Sequence, residues 1–385
     1  VSPRKLGRLA PAGAVVFAVL AAQGLTGVQA SAAPEQDEQA LVRLTQQYLQ
    51  DRADRLTGGA KASALTSVSG TAEFTGRLAA EAAELDRRRS SADFSGARVV
   101  IQQPDVRFAG DEARVRFVER TELFYAHRSK ADSPAAASHR VGHTVGFTRV
   151  GGQWKVASDV LDLPQDAVGP LTYAHPVKSG PAAAGPRSKV PAGWVASRPD
   201  TPRKAGGENP TVQGPPYSRA AAANYARRWA EDRNPDFPSF GNDCANFTSQ
   251  ALLASGWDMV KRGYNHPDAW WVTKPQPGFF NSHTWSVAQN QADFGGISGR
   301  LRNYAGEPVH VGDMLYADWG GDGGPDAHID HSMIVVQVDD PWDWGQIHLA
   351  YHTTDQADIT AWDLYTMDEY TETAAYYFFS LQNAY

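Results

Sequence analysis

Between residues 164 and 216 the chain changes character. Pro, Gly, Ala and Ser dominate, as in Gly180-Pro181-Ala182-Ala183-Ala184-Gly185-Pro186. Such a composition cannot bury enough apolar surface to fold by itself and reads as a semi-flexible linker over 164–214. A chain of 385 residues interrupted in this way is expected to hold two cores, one over 35–163 and one over 215–385. No internal repeat relates them.

The first 30 residues have the order of an export signal: Arg4, Lys5 and Arg8, an apolar run from Leu9 to Val28, then Val28-Gln29-Ala30. The small residues at its exit and Gly13, Gly24 and Gly27 favour cleavage after Ala30 over a retained membrane anchor. A secreted, extracellular protein without a stable membrane anchor is the expectation. Cleavage would remove three basic residues and take the formal charge from −7 to −10. With no basic block besides, a nucleic-acid partner is not expected.

Over 35–163 the hydrophobic period changes from that of helices to that of strands. Leu41, Leu44, Tyr48 and Leu56 share one helical face within Glu38–Leu56. A second helix over Thr71–Arg88 turns Phe74, Leu78 and Leu85 inward. Ala97–Gln102, Ala113–Tyr125, His139–Val150 and Gln153–Val160 then alternate as antiparallel strands, with Gly151-Gly152 as the hairpin turn between the last two. This predicts a small α+β domain, a helix layer on a curved sheet. His127, His139 and His143 read as strand surface residues.

The second core holds the only cysteine, Cys244, in Gly241-Asn242-Asp243-Cys244-Ala245-Asn246-Phe247-Thr248-Ser249-Gln250. Asp243 suits an N-cap and Gly256 a C′ position, which puts Cys244 at the first helical position. Unpaired N–H groups and the helix dipole there favour thiolate, while the Asp243 carboxylate opposes it. A turn entering a strand is expected over Pro308–Ala317, and further strands at His331–Val338, Gln346–His352 and Thr373–Ser380. His331 opens an apolar strand and His352 ends the next. Antiparallel pairing would make them neighbours, with Cys244 as nucleophile, His331 as base and His352 orienting His331. Asp355 is the alternative third residue. The backbone N–H of Cys244 with Asn242 or Asn246 would serve the oxyanion, and Asp243 and Gln250 complete the polar surroundings.

Asp-Cys at a helix start, Gly312-Asp313-Met314-Leu315, and His331 opening an apolar strand are similar to the papain-like cell-wall hydrolases of the NlpC and CHAP type. The fuller wording, Tyr225-Ala226-x-x-Trp229-Ala230, Asn234-Pro235 and Asp243-Cys244-x-Asn246-Phe247-x-Ser249-Gln250-Ala251-Leu252, resembles the bacterial putative amidase domain family over roughly 216–385. The resemblance implies a papain-like α+β hydrolase domain with Cys244 and His331 in the catalytic positions. Its substrate would be cell-wall peptide or another amide, and it implies no cofactor and no metal.

Rival chemistries use the same residues. His328, Asp330, His331, His348 and His352 could bind zinc, but no helical His-Glu-x-x-His occurs. Asp318, Asp322 and Asp326 do not have EF-hand spacing. Trp270-Trp271, Trp342 and Trp344 could stack on sugars or simply fill a core, and a non-catalytic glycan- or peptide-binding module is the second reading.

Overall fold

The structure, a computed structural model, describes residues 33–58, 68–164, 216–273, 280–304, 306–319, 325–367 and 374–385, together with 65, 167 and 169–173. The expected export signal, most of the linker and the glycine-rich loop at 320–324 lie outside these residues. No helix among the described residues is long and apolar enough to cross a membrane.

Helix α1 (Ala33–Thr57) buries Leu41, Tyr48, Leu49 and Leu56 along one face. Helix α2 (Ala72–Ser91) starts at Thr71, whose hydroxyl accepts from the Phe74 N–H, and turns Phe74, Leu78 and Leu85 inward. Strands β1 (Phe94–Ala109), β2 (Glu112–Tyr125), β3 (Ala136–Val150) and β4 (Gln153–Leu161) follow. Gly151 and Gly152 take φ of +60° and +79° at the β3–β4 hairpin, backbone angles that side chains resist.

The second half contributes α3 (Arg219–Trp229), α4 (Cys244–Ala254), α5 (His283–Ser286), α6 (Ala288–Ser298) and α7 (Ala361–Met367). Its strands are β5 (Leu301–Tyr304), β6 (Met314–Asp318), β7 (His331–Val338), β8 (Ile347–Tyr351), β9 (Asp355–Thr360) and β10 (Ala375–Leu381). Helix α3 is capped by the Ser218 hydroxyl on the Ala221 N–H, and α4 ends at Gly256 with φ +109°.

The two halves do not stay apart as the linker suggests. They share one ten-stranded antiparallel sheet in the order β1-β2-β3-β9-β8-β7-β6-β10-β5, with β4 also on β3. The join is β3 with β9, where Ser138 pairs with Ala357 and Arg140 with Asp355. β4 covers β3 only from His143 onward, so the start of β3 is a bare edge that β9 takes up. Arg120 adds a two-pronged contact to Glu231 at 2.6 and 3.2 Å, and Arg140 reaches Asp232 at 2.7 Å. One apolar cluster accordingly runs from Leu41 through Val115 and Phe147 to Val335, Tyr351 and Phe378. On the opposite face of the second half, α3, α4 and α6 enclose another, built on Phe247, Trp270, Trp285, Ile334 and Tyr316.

The expectation of surface histidines holds for His127 and fails for the other two. His139 and His143 share strand parity with Val141, Val145 and Phe147, and all five are buried. Glu119 of β2 meets both rings, at 3.3 Å from His139 Nε2 and 2.9 Å from His143 Nε2. Asp159 of β4 takes His143 Nδ1 at 3.0 Å. Burial works against a charged ring, but Asp159 and Glu119 outweigh it and push His143 up to about 9. Burial likewise works against the Glu119 and Asp159 carboxylates, and their histidine partners hold both below the usual range.

A raised histidine stabilises fully below its unfolded value of ~6.5 and loses that contribution as pH climbs through the folded value. Lowered carboxylates stabilise above their unfolded values of ~4 and lose it on acidification. Urea unfolding of the wild-type chain should therefore weaken from pH 6.5 toward and beyond about 9 relative to a His143→Gln variant. At pH 6 that variant should be less stable by about 3–5 kcal/mol, since it strands buried carboxylates. Parallel pH profiles for the two chains would contradict this assignment.

Candidate active site

Asp243 stands at the N-cap of α4 and Cys244 at its first helical position, as the sequence predicts, but the carboxylate does not cap the helix. It is fully buried and gathers other donors. Oδ1 accepts from the Phe240 N–H and from Asn246 Nδ2, both at 2.9 Å. Oδ2 receives His352 Nδ1 at 2.7 Å and Arg233 Nε at 3.2 Å. His352 Nε2 donates to the carbonyl of Trp229, the last residue of α3, at 2.7 Å. A carbonyl only accepts, so Nε2 carries a hydrogen and Nδ1 is the atom turned to Asp243. Phe247 stacks on it with ring centres 4.0 Å apart.

The sulfur lies beneath this clamp. Cys244 is 3% exposed, with Sγ 3.4 Å from Asn242 Oδ1. The N–H and hydroxyl of Ser332 in β7 and the N–H of Ala245 also reach the sulfur. Burial pushes the thiol above its ordinary range and Asp243 adds to the rise, against the partial opposition of those donors. The thiolate expected from the helix start is thus not the resting state, because desolvation exceeds what a few N–H groups return. Exposed Asn242 and half-buried Thr353 form the rim. Thr353 accepts from the Asp243 N–H and donates to Asn242, each at 3.2 Å, with φ at +100°. A β-branched residue at that angle is strained and is held by its surroundings.

The structure does not bring His331 and His352 together. β7 and β8 do pair antiparallel, with Ile334 opposite Ala350. His352 lies two residues beyond Ala350 and His331 three before Ile334, so their side chains leave opposite faces of the sheet. His331 sits with Trp319 and Tyr351, ring centres 5.8 and 4.9 Å away, on the face turned from Cys244. Its Nε2 is buried without a hydrogen-bond partner, and burial pushes the ring down to about 3. His352 therefore orients Asp243 rather than His331. Asp355, the alternative orienting group, is held by both Nη atoms of Arg233 at 2.8 Å.

One of the expected oxyanion donors, Asn246, is already spent. Asn246 gives Nδ2 to the Pro238 carbonyl at 2.8 Å and to Asp243, and its Oδ1 accepts from Trp285 Nε1 at 2.7 Å. Gln250 Oε1 accepts from the Tyr225 hydroxyl at 2.5 Å. Asn242 remains beside the sulfur. Trp270 and Trp285 are fully buried behind α4, with Trp270 Nε1 donating to Ser249 at 3.2 Å, so they back the helix instead of presenting a sugar platform. Trp344 is buried too, and Trp342 is exposed. Gln291 links α6 to α4 through the Ala245 carbonyl at 3.0 Å and Ser249 at 2.7 Å, and the Tyr316 hydroxyl donates to it at 3.0 Å. Sequence reading passes over Ser332, Arg233, Thr353 and Gln291. Of these only Ser332 carries a local signal, as a polar residue set directly before the apolar run Met333 to Val336. Among the described residues no group of three His, Cys, Asp or Glu side chains is arranged to hold a metal ion.

Residues 216–379 match the family model described as Putative amidase domain, which associates this part of the chain, at a coarse level, with hydrolysis of amide bonds. Two relatives come from Bacillus subtilis (strain 168). The uncharacterized protein YhbB is 29% identical over 171 residues, covering 43% of this chain and 50% of its own. The uncharacterized protein YjcM is 27% identical over 147 residues, covering 37% of this chain and 32% of its own. The chain thus spans half or less of these relatives. Among solved structures, the Kfla4162 protein from Kribbella flavida matches at 20% identity over 33% of this chain and 90% of its own, with a TM-score of 0.26. What stands is a mixed helix–strand fold on a large antiparallel sheet; these neighbours do not establish a papain-like fold.

Iodoacetamide should label Cys244 slowly at pH 7, with the rate rising only above the usual cysteine range. Fast labelling at neutral pH, read by intact mass, would show a resting thiolate and contradict the raised thiol.

Proposed function

We propose that residues 216–385 form a cysteine-dependent amide hydrolase of papain-like type that acts on cell-wall peptide outside the cell. The observation that carries this reading is the placement of Cys244. It opens α4 beneath a fixed clamp, with Ser332 and Ala245 donors on its sulfur and an exposed Asn242 beside it. The family match supports the amide as the bond cut. The order of charges and apolar residues at the start of the chain supports export, and export makes wall peptide the accessible substrate class.

In this mechanism Sγ gives up its proton and attacks the amide carbonyl carbon. The tetrahedral oxyanion meets the Cys244 backbone N–H and the Asn242 amide. Collapse expels the amine, which takes the proton back, and water then cleaves the thioester to release the acid and restore the thiol. His331 is the expected base. Because it leaves β7 on the face turned from Cys244, it takes the proton only if the start of β7 turns over as its ring leaves Trp319 and Tyr351. An imidazole held at about 3 does not draw a proton from a thiol raised above its own range. Substrate binding has to supply that rearrangement. The second reading, a peptide-binding module without turnover, draws support from the same resting geometry.

Purified wall material digested with the full chain, with products identified by mass, separates the two. Cys244→Ala and Cys244→Ser should lose on the order of a thousandfold or more in release of new amino termini while keeping the wild-type circular dichroism. His331→Gln should be impaired likewise, and EDTA should have no effect. Unchanged turnover in the cysteine variants would end the proposal. Binding without cleavage by the wild type would favour the module.

A further inference from the structure

The buried ion pairs of the first half converge on a phenol ring that belongs to none of its helices or strands. Beyond the end of β4 at Leu161, residues 169–173 turn back toward α2. Leu171 and Thr172 are buried there, and Arg88 Nη1 donates to the carbonyls of Leu171 at 3.3 Å and Tyr173 at 2.9 Å. The Tyr173 hydroxyl then reaches Asp159 Oδ2 at 2.7 Å and comes within 3.4 Å of His143 Nδ1. The Arg52 guanidinium lies over the ring, 3.8 Å from its centre, and the His143 ring stands at 5.2 Å. Burial raises the Tyr173 hydroxyl well above its ordinary range, so it stays protonated and donates to Asp159.

This set of groups is more than packing requires. Buried charges add little net stability compared with apolar side chains of the same volume, so a centre built only to hold helices on a sheet would be apolar. Arg52 is 1% exposed, yet only its Nη1 is satisfied, by Tyr48 and Glu81, while Nε and Nη2 have no partner. Nδ1 of the fully buried His139 also lacks one. A carboxylate acceptor, a guanidinium face and an imidazole edge, all fixed by α1, β3 and β4, match a flat ring bearing one hydroxyl. The ring that meets them is delivered by a segment outside the sheet, so the recognition and its occupant are separable parts of the chain.

We propose that the first half is a binding site for a phenolic ring and that Tyr173 is its built-in occupant, displaced when an outside phenol enters. The phenol is either a free para-substituted molecule or the tyrosine side chain of a peptide, since both present the same ring and hydroxyl. A tethered occupant competes at an effective concentration on the order of millimolar, which lowers the apparent affinity for any outside ligand.

Calorimetry on the full chain with p-cresol, toluene and N-acetyltyrosinamide tests this. Tyr173→Ala should bind p-cresol at least tenfold more tightly than the wild type does, and at least tenfold more tightly than it binds toluene. Adding Asp159→Asn should erase the preference over toluene. Tighter binding of N-acetyltyrosinamide than of p-cresol assigns the site to peptide tyrosine, and the reverse to free phenols. Equal affinities for p-cresol and toluene in Tyr173→Ala, or no gain over the wild type, would overturn the proposal. Should that variant fail to fold, amide hydrogen exchange on the wild type decides. Saturating p-cresol should speed exchange over residues 169–173, and unchanged exchange there would overturn it equally.

Discussion

The candidate site depends on one buried carboxylate. Asp243 draws donors from the α3–α4 loop through Arg233 and Phe240, from α4 through Asn246, and from the end of β8 through His352. Removing a partner would leave a buried charge short of a donor, at a cost of several kcal/mol, so the four attachments hold one another in place. The position of Cys244 relative to the sheet follows from them. The same carboxylate also raises the neighbouring thiol. Rigid placement and a reactive sulfur therefore pull against each other at adjacent residues.

A second constraint acts across the whole molecule. Because β9 closes the open edge of β3, the half that carries buried ion pairs and the half that carries the cysteine share one sheet and one apolar cluster. Arg233 stands where these constraints meet. It contacts Asp243 beside Cys244 and holds Asp355, the residue that pairs with Arg140 at the join. Displacing β9 from β3 would disturb the Asp355 contact and, through Arg233, the donor set around Asp243.

Local pattern made much of the fold legible, and faces and distant pairings much less so. The α4 start at Cys244 is legible because Asp243 and Gly256 bracket a helical run. β7 is legible because four apolar residues, Met333 to Val336, follow Ser332 without a break. β9 is not, since Asp355-Gln356-Ala357-Asp358 is acidic and polar, and α6 is not, since glycines weaken its period. The join of Arg140 to Asp355 has no local signature at all. Parity decided the misread histidines. His139 and His143 fall in step with Val141 and Val145 and so go inside. His331 and His352 are out of step across the Ile334–Ala350 pair and so part company. Only the register, which depends on both strands together, reveals that Ser332 faces the sulfur while His331 does not.

The most direct measurement is a rapid acid quench of the full chain during turnover of wall peptide, with intact and peptide mass spectrometry. Acyl transfer through this cysteine predicts a transient adduct on the peptide containing Cys244, with the mass of the acyl half of the substrate and lability to hydroxylamine as a thioester. Hydrolysis that proceeds with Cys244 unmodified at every quench time, and continues after its replacement by Ala, would contradict it.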